Sequence, residues 1–245
     1  MVIMITSKQN ALIKEIRALS DKKFRDRLGV FVIEGVKPVK EAIELGISIR
    51  EVVCTEKGLL SLGTCSAKTE LVTEEVFKYI SEETTPQGVL AIGIKPQNNL
   101  SAPCGNCLFL DGVSDPANVG AIIRTAAAAG YNEIYMSPEC ADPYSQKAVR
   151  ASMSGVFRVK IMRDTVKNIL SVINLPIWVA DMGGQSVYSA KNNGSFCLVI
   201  GSEGHGACRE VRERADFTVS IPMENGVESL NAAVSAGILM YSLKN

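Results

Sequence analysis

Residues 107–130 read CLFLDGVSDPANVGAIIRTAAAAG. The run CLFL is short, apolar and uninterrupted, as a strand buried on both faces should be. A polar turn, DGVSDPAN, follows it, and residues 117–129 then read as a helix of small and apolar side chains. Strand, turn and helix in one span is the unit from which parallel sheets are built. One residue does not fit. Arg124 stands among Ile122, Ile123, Thr125 and four alanines. An unpaired buried guanidinium is costly, so Arg124 must reach a carboxylate, solvent or an anionic ligand.

The alternation continues on both sides. Downstream, NEIYMS, FRVKI, PIWVADM, FCLVIGS and FTVSIPM have the same strand character. Helical stretches over residues 145–153, 165–174 and 207–215 separate them, and LNAAVSAGILMYSL supplies a last helix. Upstream, Leu12, Ile16 and Leu19 mark a helix, and VFVIEG reads as a strand. PVKEAIELG is a helix with Pro38 near its start and Gly46 after its end. REVVCT and GVLAIGI are strands, and EEVFKYI is a short helix between them. Residues 96–106, PQNNLSAPCGN, are polar, with two prolines and no period, and read as a linker. The expected class is α/β, with a mostly parallel sheet in the C-terminal part. The expected divisions are residues 1–95, a small α/β domain; 96–106, the linker; and 107–245, a larger α/β domain.

Composition excludes several classes. The chain has 245 residues, 47% of them hydrophobic, enough to bury a core. It has no apolar run long enough for a membrane span, and its first residues lack the pattern of a signal peptide, so a cytoplasmic location is expected. Lys plus Arg and Asp plus Glu balance at 26 each. Local charge is less even. Residues 1–28 hold seven Lys/Arg against three Asp/Glu, and residues 145–167 hold six against Asp164 alone. Two such patches could meet a phosphate backbone, or be solvated helix faces. Seven cysteines in a chain without an export signal suit free thiols. Cys104-Gly-Asn-Cys107 has redox spacing, but it runs into a strand rather than opening a helix, and no second pair completes a zinc site. No metal is expected.

Ligands of open α/β sheets gather beyond the C-terminal strand ends. The loops there read DGVSDPANVG, ADMGGQ, GSEGHG and IPMENGVESLN. Their glycines let backbone N–H groups approach a ligand. There is no G-x-G-x-x-G after the first strand, no Walker A sequence and no nucleophile elbow. The only histidine, His205, has no positioned Ser or Cys partner and reads as a solvated loop residue. Asn118 reads as a helix cap or a site residue. Glu203 reads as a partner for Arg124, and Ser229 as an N-cap or a site residue beside Asn231. Asp111 and Asp115 read as turn residues.

DGVSDPANVGAIIRTA, LVIGSEGHGACREV and IPMENGVESLNAAVSAGI resemble, in order and spacing, the three motifs of the SpoU (TrmH) family of RNA ribose 2'-O-methyltransferases. VRASMSGVFRV is similar to the family's connecting segment. FVIEGVKPVKEAIELGISIREVV and TTPQGVLAI resemble the ribosomal-protein-like RNA-binding domain often placed ahead of the catalytic one. The resemblance covers nearly the whole chain. It departs at Ala232, where a β-branched residue is usual, and at Lys160, where proline is common.

The resemblance implies a SPOUT methyltransferase domain with a trefoil knot, working as a homodimer with its site near the dimer interface. It implies S-adenosylmethionine bound by the loops Ala180, Asp181, Met182, Gly183; Gly201, Ser202, Gly204; Ile221 and Met223; and Ser229 and Leu230. It maps the catalytic set onto Asn118, Arg124, Glu203, Ser229 and Asn231. Arg124 would bind the target phosphate and favour negative charge on the 2'-oxygen, with Glu203 orienting it. Lys147 and Arg150 are further candidates for RNA contact, or a solvated face. The expected substrate is structured RNA, ribosomal RNA ahead of transfer RNA. The alternatives are a non-catalytic RNA-binding protein that keeps the fold and a nucleotide-dependent enzyme of doubly wound type.

Overall fold

The computed structural model describes residues 4–244. The N-terminal part opens with two short helices, α1 (Ala11–Ala18) and α2 (Lys22–Leu28). Asn10 and Asp21 cap them by accepting from the N–H groups of Leu12 and Lys23. Then come β1 (Val30–Glu34), α3 (Val36–Glu44), β2 (Ile49–Cys54), α4 (Glu56–Leu62), β3 (Thr69–Leu71), α5 (Glu74–Ile80) and β4 (Val89–Ile94). The strands form one sheet in the order β1-β4-β2-β3. β4 runs antiparallel to both β1 and β2, while β3 is parallel to β2. Alternate side chains divide its faces. Val30, Val32, Leu90 and Ile92 share a core with Ile13, Val76 and Phe77 of α1 and α5. Phe31, Ile33, Val89 and Ala91 belong to the core that continues into the C-terminal part.

That second part is built from β5 (Cys107–Asp111), α6 (Pro116–Ala129), β6 (Glu133–Met136), α7 (Gln146–Ser152) and β7 (Lys160–Arg163). It continues with α8 (Val166–Val172), β8 (Ile177–Ser186), β9 (Cys197–Gly201), α9 (Arg209–Arg214), β10 (Phe217–Ser220) and α10 (Ala232–Ser242). Its six strands lie in the order β10-β8-β9-β5-β6-β7, and every pair is parallel. Helices cover both faces, which explains the continuous apolar runs. Leu108 and Leu110 face a core shared with α6 and α10, while Cys107 and Phe109 face one shared with α8 and α9.

α6 owes its position to its small residues. A Cβ on Gly120 would come within 2.4 Å of the Ala148 carbonyl oxygen and 2.6 Å of the Ala151 Cβ, so the missing side chain is what lets α7 lie against it. Residues 95–106 form no helix or strand, yet they are tied down. Asn98 Nδ2 donates to the Ile161 carbonyl at 3.0 Å, Tyr135 Oη to that of Ser101 at 2.8 Å, and the Cys104 N–H to Glu133 Oε2 at 2.7 Å.

The sequence reading and the structure differ where backbone conformation intervenes. FRVKI was expected to be a strand from its first residue. Met153 and Ser154 instead take left-handed φ values of 46° and 66°, and a single 3-10 turn occupies Gly155–Phe157. The strand therefore starts at Lys160. α2, α4 and β3 are too short to show a hydrophobic period. All seven cysteines are free; Cys104 is exposed, and Cys54, Cys107, Cys140 and Cys197 are buried. Only a thiolate reacts readily. Burial pushes the half-buried Cys208 thiol up to about 11. A water-soluble thiol reagent at about pH 8 is therefore expected to label Cys104 first and Cys208 slowly, with the four buried thiols appearing only in denaturant. Labelling of buried thiols in the native protein at the rate of Cys104 would contradict this packing.

Candidate active site

The C-terminal ends of β8, β9 and β10 and the start of α10 enclose a cavity of about 440 Å³. A ligand pocket is expected at this edge of a parallel sheet, and the volume lies in the usual ligand range of about 300–1,000 Å³. Its apolar walls include Ile200, Val219, Ile221, Leu230 and Leu239, and its polar rim includes Asp181, Ser202, Glu228 and Ser229. The loop after β9 bends back on itself. The Ser202 N–H donates to the Gly206 carbonyl at 3.0 Å, and the Gly206 N–H returns a bond to the Ser202 carbonyl at 2.9 Å. Gly201 permits this approach, because a Cβ there would lie 2.1 Å from the Ala207 nitrogen.

Of the eleven residues expected to line a cofactor pocket, Ala180, Asp181, Met182, Gly201, Ser202, Gly204, Ile221, Met223, Ser229 and Leu230 do so. Gly183 does not border the cavity; its N–H donates to Asp181 Oδ1 at 3.1 Å, and residues 180–185, expected as a loop, belong to β8. Arg212, on α9, was not anticipated. Its side chain borders the cavity, donates to the His205 carbonyl, and lies 4.0 Å from Asp181 Oδ2, so it links β8 to the turn after β9. No sequence pattern marks it, because α9 reads as an ordinary charged surface helix.

Glu203 borders the cavity, and two distant polar side chains that do not themselves line it, Asn118 and Asn231, meet there. Asn118 Nδ2 donates to Glu203 Oε1 at 2.8 Å, and Asn231 Nδ2 donates to Asn118 Oδ1 at 2.9 Å. Asn231 Oδ1 also accepts from the N–H groups of Ala233 and Val234, capping α10. Ser229 is therefore not that cap. Nor is Asn118 the cap of α6. Asp115 holds that place, accepting from the Ala117 N–H at 3.0 Å, which leaves Asn118 free to join its two partners. Asp111 is buried and accepts from the Cys208 N–H at 2.7 Å.

Arg124 stands apart. Glu203 bonds Asn118 rather than Arg124, and the exposed Arg124 side chain makes no ion pair or hydrogen bond among the described residues. It does not line the cavity. It lies six residues beyond Asn118, about 9 Å along the helix and on another face. Its backbone is clasped instead by the 3-10 turn, where a Cβ on Gly155 would lie 2.9 Å from the Arg124 Cα. Lys147 and Arg150 are engaged in ion pairs, Lys147 with Asp115 and Arg150 with Glu83, each at 2.8 Å. The Lys147 bond holds the Asp115 carboxyl below the usual range. His205 is exposed at the cavity rim. Among the described residues no cluster of His, Cys, Asp or Glu could hold a metal ion, and no helix is long and apolar enough to cross a membrane.

Comparison with known proteins identifies the family. The SpoU rRNA Methylase family model matches residues 105–241, and an MRM3-like substrate binding domain matches residues 10–91. The 23S rRNA (guanosine(2553)-2'-O)-methyltransferase RlmP of Bacillus subtilis is 32% identical, over 98% of this chain and 98% of that protein. An AdoMet-bound rRNA methyltransferase from Sinorhizobium meliloti superposes with a TM-score of 0.86 at 29% identity, covering 98% of this chain and 97% of that one. The SpoU methyltransferase AviRb from Streptomyces viridochromogenes, also in complex with AdoMet, superposes with a TM-score of 0.84 at 26% identity, over 95% and 97% of the two chains. A cavity framed by β8, the turn after β9 and the segment before α10, a family model spanning its walls, and a relative matched from end to end lead to one conclusion: the chain belongs to the SpoU rRNA methylase family.

Proposed function

We propose that the protein methylates a ribose 2'-hydroxyl of structured RNA, ribosomal RNA ahead of transfer RNA, with S-adenosylmethionine as donor, in the cytoplasm. The observation that carries this reading is the cavity itself, bordered by Glu203, which Asn118 and Asn231 hold in place from behind. The pocket fits the donor. Ile200, Val219 and Leu239 suit an adenine ring, and Gly201 and Gly204 leave backbone groups accessible beside it. When bound, S-adenosylmethionine supplies an activated methyl group on a sulfonium centre. The protein's task is then to bring a ribose oxygen into line and to manage one proton, and orientation of this kind is worth up to about 7–11 kcal/mol.

Asn118 and Asn231 hold the Glu203 loop to the start of α10, so that the cavity edge is already ordered before RNA arrives. Ser229, at the rim, is placed to hydrogen-bond the ribose. Arg124 neutralises the target phosphate and the charge developing on the 2'-oxygen. It reaches the site from a second copy of the chain. α10 supports this arrangement: it is apolar around its circumference, yet Val234 is 51% and Tyr241 54% exposed, a face that a partner would cover. From β10 through residues 221–231, the chain returns as α10 against α6; this passage is where we place the trefoil knot.

Ribosomal RNA is favoured by the substrate-binding domain ahead of the catalytic one and by the end-to-end match to a 23S rRNA enzyme. Calorimetry with S-adenosylmethionine, followed by mapping of 2'-O-methylated riboses in RNA from cells with and without the protein, tests the proposal. Saturable binding and the loss of one rRNA mark are expected. The absence of cofactor binding would favour the non-catalytic RNA-binding reading.

A further inference from the structure

The catalytic reading leaves one buried charge pair without a task. Arg25, on α2, is 3% exposed and Asp142, in the loop between β6 and α7, is 9% exposed. Arg25 donates to Asp142 Oδ2 from Nε at 2.9 Å and from a terminal nitrogen at 2.7 Å. Its other terminal nitrogen donates to the Leu19 and Ser20 carbonyls at 2.7 and 2.8 Å. Asp142 Oδ1 accepts from the Tyr144 N–H at 3.0 Å. The pair thus joins the N-terminal part to the catalytic part with its hydrogen-bonding capacity largely used. Desolvating two charges is expensive, so a buried pair is weak evidence for stability.

The surroundings are equally committed. The Phe31 ring lies 5.0 Å from that of Tyr144 and 6.3 Å from that of Phe157. Lys95 sits over Tyr144 and bonds Asp26, and Arg150 bonds Glu83 across the same junction. Interfaces within a chain are commonly loose and permit domain motion; this one is a continuous apolar core with a buried ion pair. α2 has two faces. Lys23 and Arg27 point to solvent, and Arg25, two residues from each, points inward to Asp142. The Asp142 loop is in turn bonded to the first catalytic loop, through the Ala141 N–H to the Val113 carbonyl at 2.9 Å, and it leads into α7 against α6.

We propose that Arg25 and Asp142 are positioning residues that make the two parts one rigid gauge. RNA held by the N-terminal part then presents a single ribose, at a fixed reach, to the Asn118–Glu203–Asn231 edge. This rests on the methyltransferase reading above. The pair acts on which ribose arrives, not on the transfer itself. If it is weakened, the parts sample several orientations, and apparent affinity for RNA falls by the fraction still aligned.

The test compares wild type with Arg25→Gln and with the milder Asp142→Asn, which keeps volume and an acceptor for Tyr144. Small-angle scattering reads the arrangement of the parts, and kinetics with a structured rRNA fragment read its consequence. The expected result is a larger radius of gyration, a KM for RNA raised about tenfold, kcat within about threefold, and S-adenosylmethionine affinity unchanged, with methylation spreading to neighbouring riboses. Identical scattering from wild type and both variants overturns the gauge, as does an unchanged KM or a parallel loss of cofactor affinity, which marks a merely structural pair. If wild type itself transfers no methyl group, the methyltransferase reading has failed, and the scattering comparison alone decides whether the pair holds the two parts rigid.

Discussion

Replacing Arg124 by alanine is expected to lower kcat for methyl transfer by about 10²–10³-fold while leaving cofactor affinity within about threefold. The asymmetry follows from position. Arg124 is exposed and has no partner among the described residues, so its removal leaves no buried group unpaired and exposes no core. Surface changes of that kind alter stability by only about 0.5 kcal/mol. A large loss of rate would therefore report contact with the reacting RNA. Arg124→Lys restores the charge but not the planar fork that matches a phosphate, and should recover only part of the activity.

The same residue tests the dimer. Arg124→Ala subunits keep the Glu203–Asn118–Asn231 edge, and Asn118→Ala subunits keep the arginine. If Arg124 acts on its partner's pocket, mixing the two inactive proteins restores up to about a quarter of wild-type activity, since half of the dimers then carry one complete site. Action within one chain predicts no recovery at all. A drop in melting temperature together with weakened cofactor binding in Arg124→Ala would assign the residue to the fold instead.

The second large effect is expected at Gly201. A methyl group there would stand 2.1 Å from both the Ala207 nitrogen and the Gly206 carbonyl carbon. These are backbone atoms, so no rotamer change relieves the clash; the Ser202–Gly206 turn must move. Overpacking costs about 1–3 kcal/mol or more, and about 1.4 kcal/mol is a factor of ten in affinity. Gly201→Ala should thus weaken S-adenosylmethionine binding by about ten- to a hundredfold and lower the melting temperature. Gly194→Ala, where nothing lies within 4 Å of the added carbon, is the control and should behave as wild type. Unaltered cofactor binding in Gly201→Ala would mean that the turn does not form the pocket wall.

Much of the architecture was readable because it is written in local patterns. A run such as CLFL can be buried on both faces only in a covered sheet, and β5, β6 and β9 at the middle of the parallel sheet are short apolar runs of this kind. The glycine that opens the turn after β9 was readable for the same reason: close backbone approach excludes a side chain, and Gly201 shows it. The N-terminal sheet was read less fully. β3 has three residues, none of them fully buried, and carries no period to detect. The start of β7 was misjudged because two left-handed residues, Met153 and Ser154, cannot be inferred from side chains that usually avoid that conformation.

The sequence by itself determined the class of fold, the order of its longer elements and most of the segments in which chemistry would reside, because hydrophobic period and turn residues act over a few positions. Only the tertiary structure decided who meets whom. Glu203 chose Asn118 over Arg124, Arg25 found Asp142 117 positions away, and Arg212 closed a wall that nothing in α9 announces. Charges pair according to distance and burial in space, and a linear pattern contains neither until the sheets have packed.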